Sequence, residues 1–256
     1  MVWSAGALEL DWCSLDYCAF GTIFLLLPLS MTLNAYELIL CVKASGGVIS
    51  FRRALGYSST ATIANVLPVP ASTMIRGAAV VESGASIAES GKIIVAAGLL
   101  WLAMASAITA LAIFPGIIGL LFCFGGLSVC AALIVWITLK SDFLISIQFV
   151  VVRAVMIGLL MLRLFMCFMT INAGIRLIDT AVFSVVGIVG NVAAIVPAGI
   201  GVTESLGALL APASGTVAAA AFLALALNRL TGLAGAGLIS LLLFSGKPAH
   251  TLVGNV

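Results

Sequence analysis

Charge is what this chain has least of. Of its 256 residues only 8% are charged, eleven basic and nine acidic, against about 25% in an ordinary soluble domain. So few charges cannot cover the surface of a soluble domain of this size, and that class is excluded. Disorder is excluded as well, because 63% of the residues are hydrophobic and the mean hydropathy is +1.32. A net charge of +2 is too small for a nucleic-acid surface. There is a single histidine, His250, with no Cys, Asp or Glu beside it, so no metal site is expected. The HExxH, GxSxG, P-loop and GxGxxG patterns are all missing, so neither an enzyme nor a cofactor is expected. A basic start is missing too. Glu9, Asp11 and Asp16 precede any Lys or Arg, which reads as a retained anchor and not a cleaved signal.

What is present is long apolar sequence. One crossing of a bilayer uses about 20 apolar residues, so this length allows roughly five to eight crossings or part-crossings. Apolar runs cover 19–42, 93–114, 117–139, 143–171 and 217–244; those at 93–114 and 117–139 are clean, 143–171 carries Arg153 and Arg163, and 217–244 contains Asn228 and Arg229. Asn34, Tyr36 and Glu37 stand near the second end of the first run. Four of the six cysteines, Cys41, Cys123, Cys130 and Cys167, lie in such runs and read as small buried side chains. Cys13 and Cys18 lie outside the first span and can pair if that side is oxidising.

Two segments do not fit one crossing each. Residues 57–81 are moderately apolar, rich in Ser and Thr, and broken at Pro68 and Pro70. Residues 181–210 are broken at Pro197, with Gly199 and Gly201 close behind. Proline ends a helix at or before the preceding residue, and the pieces on either side are too short to cross alone. Each segment therefore reads as a re-entrant hairpin of two half-helices. The basic residues support this independently. Lys43, Arg52, Arg53, Lys92, Lys140 and Lys247 share the cytoplasmic side only if both broken segments return to the side they entered from.

The expected fold class is thus all-α: a polytopic membrane protein of two inverted repeats, each with a proline-broken re-entrant helical hairpin. The expected units are an extracytoplasmic tail at 1–18, a first repeat plus connecting span at 19–139, a second repeat at 140–246 and a cytoplasmic tail at 247–256. Paired broken segments at matching places in inverted halves point to a transport site near the midplane, where irregular backbone is tolerated against a cavity or within protein.

Ionisable residues in apolar runs are the candidate site. Each costs at least about 2.5–3.5 kcal/mol near a helix centre on insertion scales. Arg163, Glu204 and Arg229 qualify, and Arg76 sits about two turns after the first break. Half-helix N-termini favour anions, and an Arg adds a bidentate phosphate donor. The bland alternative is that these charges snorkel or pair with one another, as Glu204 with Arg229. Arg153, within about three turns of the cytoplasmic end, is expected to snorkel. Gly199 and Gly201 read either as a ligand approach or as a plain turn. Gly125, Gly126, Gly232, Gly235 and Gly237 read as helix-packing positions.

At the two breaks the chain resembles the lysylphosphatidylglycerol synthase transmembrane-region family, the flippase-like membrane proteins. The first element reads NVLPVPASTMIRG, in which Asn65, Leu67, Pro68 and Arg76 match. Ser72 and Thr73 stand where the family has Gly and Glu, so no carboxylate is implied at Thr73. The second element reads PAGIGVTE, Pro197 to Glu204, departing only at Ala198. Arg229, in LALALNRLTG, fits the family's later Arg. The resemblance implies a bacterial inner-membrane lipid translocase that holds an anionic or aminoacylated phospholipid head group through Arg76, Glu204, Arg229 and Arg163. Relatives usually have one more helix before the first run, and some carry a soluble aminoacyltransferase domain that this sequence does not contain. The expected partners are a membrane lipid, a phospholipid or one of hopanoid type, with a second copy of the chain or a lipid-synthesis enzyme beside it. The rival readings are a non-catalytic scaffold of a lipid or envelope pathway and a carrier of a small anionic solute.

Overall fold

Asp16 starts the first helix of the described residues, and its side chain shows why. Its carboxylate accepts hydrogen bonds from the amides of Cys18 and Ala19 at 2.9 and 3.0 Å, satisfying donors that a helix start leaves free. The computed structural model describes residues 15–67, 71–114, 116–192 and 201–244. Pro68, Pro70, Pro197 and Gly199 lie outside the described residues, as do 1–14 and the whole of the expected tail at 247–256; residues 17 and 18, expected in the first tail, belong to the first helix.

Among the described residues nine α-helices follow in the order of the chain. Helix α1 is Tyr17–Ala44, α2 is Phe51–Ala64, α3 is Ala71–Glu82, α4 is Ile87–Ile113 and α5 is Ile117–Lys140. Helix α6 is Phe143–Thr170, α7 is Ala181–Val192, α8 is Val202–Leu210 and α9 is Ala218–Phe244. No strand occurs among the described residues. Five helices (α1, α4, α5, α6 and α9) are long and apolar enough to cross a membrane, as a polytopic membrane protein requires. At 1.5 Å per residue they span roughly 36 to 42 Å, against a hydrocarbon core of about 30 Å. By the same rise, α2, α3, α7 and α8 span only about 14 to 21 Å.

Serines and glycines set the other boundaries. Ser50 and Ser86 cap α2 and α4, accepting from Arg53 N and Glu89 N. Gly116, at φ +77°, turns the chain from α4 into α5. Gly201, at φ +97°, opens α8 in a left-handed conformation that other residues rarely adopt. The second bend therefore does need a glycine at that place.

The packing order repeats. Helices α2 and α3 pack on each other, and so do α7 and α8. The last long helix of each half packs on the first short helix of the other: α9 on α2, and α4 on α7. The two leading helices, α1 and α6, share an extensive antiparallel interface. Asp16 N donates to Thr170 O at one end of it, and Glu37 meets Arg153 towards the other. Chain ends are sorted accordingly. Gly47, before α2, lies against Ser83, after α3; a Cβ on it would fall 2.6 Å from the Ser83 carbonyl oxygen. Arg52 donates to Leu243 O, and Glu89 pairs with Lys92 and Lys140, so these basic residues gather with their neighbouring helix ends.

Small residues let the long helices approach closely, the usual means of helix packing in lipid. A Cβ on Gly126 would fall 2.9 Å from Ala103 O and 3.0 Å from the Ala107 Cβ. Gly125 and Gly237 face open space, so they do not pack helices, while Gly235 lies against Leu27. Helix α5 is the most exposed of the five: Leu121, Phe122, Phe124 and Leu139 all stand outward.

Candidate functional site

Two buried arginines of α6, Arg153 and Arg163, anchor two charge clusters against α1, and the second extends along α9 to the Glu204–Arg229 pair. They are about 15 Å apart along α6, since Arg153 and Arg163 are ten residues apart in it.

The first cluster centres on Glu37, only 1% exposed. One carboxylate oxygen accepts from Arg76 Nη1 at 3.2 Å, and the other accepts from Arg153 Nη2. Arg76 Nη2 also donates to Asn34 Oδ1 at 3.0 Å. Arg153 is 2% exposed, and its guanidinium carbon lies 4.9 Å from the centroid of the Trp101 ring, a cation–π arrangement. Four helices build this site: α1 supplies Asn34 and Glu37, α3 Arg76, α4 Trp101 and α6 Arg153. Arg153 therefore does not snorkel. Its nearest end is within reach, but a carboxylate and an aromatic face one helix away hold it inside.

The second cluster lies towards the other end of α6. Arg163, 8% exposed, donates to Ser30 Oγ at 3.4 Å and to the Asn228 carbonyl at 3.1 Å. Gly232 adjoins it: a Cβ there would lie 3.5 Å from Arg163 Nη2, an ordinary contact. The neighbour of Asn228, Arg229, pairs with Glu204 at 3.6 Å. Glu204 is itself a capping residue, since its other oxygen accepts from Gly201 N at 2.9 Å.

Of the four expected head-group residues, the structure thus groups Arg163, Glu204 and Arg229 around α9 and sets Arg76 in the other cluster. Asn65 closes α2 as its C-cap, with its amide bonded back to Thr62 O. Four residues of the first cluster escaped the sequence reading as site residues: Asn34, Glu37, Trp101 and Arg153. For Glu37 a signal existed, because a carboxylate inside an apolar run meets the same criterion as the arginines.

Taking these charges out of water costs several kcal/mol per ion, offset only by good geometry and satisfied hydrogen bonds. The clusters hold four arginines and two glutamates, so their net balance is positive; Arg153, Arg163, Glu37 and Glu204 are buried, and the excess charge rests on the partly exposed Arg76 and Arg229. Such an arrangement suits an anionic group. No group of three or more potential metal-ligating side chains occurs among the described residues. An apolar groove of about 370 Å³ opens elsewhere, between α4, α5 and α7, with Thr109, Phe114, Phe122 and Val185 in its walls.

No family model matches the chain, and no curated protein matches it.

Proposed function

We propose that this chain is a lipid translocase of the flippase-like kind, acting in a bacterial inner membrane. It is built as two inverted repeats with re-entrant hairpins at α2–α3 and α7–α8. An anionic or aminoacylated head group passes by way of Arg76, Arg163, Arg229 and Glu204. The observation that carries this reading is the excess of arginine over glutamate in the two clusters, four to two, with Arg153 and Arg163 buried and Arg76 and Arg229 partly exposed.

Several features support it. The order long–short–short–long occurs twice, separated by α5. Each last long helix packs on the other half's first short helix, and the leading helices are antiparallel, as inversion requires. Gly47 beside Ser83 fits a hairpin that returns to its own side. Trp101 is the fifteenth of 27 residues in α4 and Gly232 the fifteenth of 27 in α9, and each adjoins a buried arginine of α6.

Reconstitution into liposomes with a fluorescent head-group reporter tests the proposal. The full chain should accelerate exchange between leaflets, and Arg76→Ala and Arg229→Ala should each slow it by tenfold or more, a factor that about 1.4 kcal/mol of lost binding to the passing group would give. No acceleration, or unchanged rates in both variants, would sink it.

A scaffold in lipid or envelope synthesis is the second reading. Internal pairing of Glu204 with Arg229 and of Glu37 with Arg76 favours it. Arg163, held among the described residues by a hydroxyl and a carbonyl alone, weighs against it. A scaffold has no need of a cation buried without a carboxylate.

A further inference from the structure

The unused hydrogen-bonding atoms of the first cluster are all of one kind. Arg153 Nε and Nη1 and Trp101 Nε1 are buried, and none has a partner. All three are donors. The carboxylate that could have served them is committed, one oxygen to Arg153 Nη2 and the other to Arg76 Nη1. Two cations and one anion leave one positive charge in excess, in a cluster where Arg153 is 2% and Glu37 1% exposed and the Arg76 side chain is partly exposed. A buried donor left unmade is costly, and a buried charge left unpaired is costlier. Water would fill the donors without balancing the charge. A single oxyanion does both, through the short charge-assisted bonds that arginine makes to phosphate or carboxylate.

The second cluster differs on this point. There the unpartnered atoms are one donor, Arg163 Nε, and one acceptor, Asn228 Oδ1, a mixture that defines no ligand charge.

We propose that Arg153 and Trp101 form a binding site for one oxyanion, a phosphodiester or a free phosphate, beside the Glu37 bridge. Arg76, with 19% of its side chain exposed, is the outermost cation of the site. Glu37 occupies both arginines when the ligand is away and competes with it. The proposal deepens the translocase reading and rests on it only for the choice of a phospholipid as probe.

Trp101 is its own reporter. With Trp3, Trp12 and Trp136 changed to Phe, it is the single tryptophan of the full chain. In phosphatidylcholine nanodiscs, its emission should shift saturably as phosphatidylglycerol is raised, or as inorganic phosphate is added to the buffer. Saturation with the lipid alone assigns a head group; saturation with inorganic phosphate assigns a free anion. Arg153→Gln should weaken binding about tenfold or more, the factor expected for a lost charged hydrogen bond. If that variant fails to fold, Arg153→Lys, which keeps the charge but lacks the planar fork, should weaken it in the same direction. Glu37→Gln should tighten binding, which a merely structural residue would not do. A native circular dichroism spectrum with no saturable shift from either probe overturns the site, as does an Arg153→Gln or Arg153→Lys protein that saturates like its parent. Saturable binding without leaflet exchange would overturn the translocase reading and leave the site standing. Exchange that persists with no Trp101 response would do the reverse.

Discussion

Glu37 and Arg163 occupy the same place in two helices of equal length, the twenty-first of 28 residues in α1 and in α6. They carry opposite charge, and each faces the other's helix. Glu37 meets Arg153 of α6, whereas Arg163 meets Ser30 of α1. The third layer differs as well, with Trp101 beside Arg153 and Gly232 beside Arg163. The first half thus surrounds its arginine with a carboxylate and an aromatic ring. The second gives its arginine a hydroxyl, a backbone carbonyl and space. Similar frameworks therefore hold one charge rigidly paired and another weakly held, and the two should respond differently when either is disturbed.

The largest difference is expected at the two glutamates. Glu37→Ala strands Arg153 in the interior and unpairs the partly exposed Arg76, and should cost about 3–5 kcal/mol, the range for breaking a buried ion pair. Glu204→Ala removes a pair whose arginine side chain is 22% exposed, together with a cap, and should cost only about 1–2 kcal/mol. Reversible unfolding in mixed micelles measures both. Equal losses would erase the distinction between the halves.

Much of this architecture was legible in the sequence. Apolar runs of more than twenty residues bounded by Lys, Ser-rich loops or Pro-Gly mark the five long helices, because nothing else in a chain of this charge has that length. The end of α2 at Ala64 and the start of α8 after Gly201 fall beside the sequence's prolines, which themselves lie outside the described residues. The candidate site was legible only in part. Glu204 and Arg229, 25 residues apart, were paired from their placement in apolar sequence, but Glu37 and Arg153 were not, being 116 residues apart. The fate of Arg153 depended on which faces of α1 and α4 would meet it, and distance along α6 says nothing about that. One clue was local. Ser30, Asn34, Glu37 and Cys41 recur at steps of four, three and four, a polar stripe on one face of an otherwise apolar helix, and that face turns to α6 and α3.

A smaller effect separates the two arginines. Arg153→Met leaves Glu37 paired with Arg76 but removes one bridge and the contact with Trp101. It should cost about 2–3 kcal/mol. Arg163→Met removes a cation held by neutral acceptors that have other partners: Ser30 Oγ donates to Leu26 O, and Asn228 O accepts from Thr231 Oγ1. That change should cost less than about 1 kcal/mol or stabilise, as apolar replacement of buried charge often does. If the translocase reading holds, the same protein should be stable and slow in leaflet exchange, the familiar trade of stability against function. A large loss of stability at Arg163 would show that its charge is balanced after all.

The smallest effect sharpens the difference in space. Gly232 stands where the first half has Trp101, and the nearest atom to an added Cβ is Arg163 Nη2 at 3.5 Å, an ordinary contact. Gly232→Ala should therefore keep the gain in helix propensity, about 0.5–1 kcal/mol. Three residues on, a Cβ at Gly235 would press on Leu27 at 3.0, 3.3 and 3.4 Å, and this crowding should cancel the same gain to within about 0.5 kcal/mol. Combining Gly232→Ala with Arg163→Met decides whether the space is free. Additive effects, within about 0.5 kcal/mol, mean that the arginine does not need the glycine to fit. A coupling above about 1 kcal/mol means that Gly232 positions Arg163 closely, and the second cluster would then be as tightly built as the first.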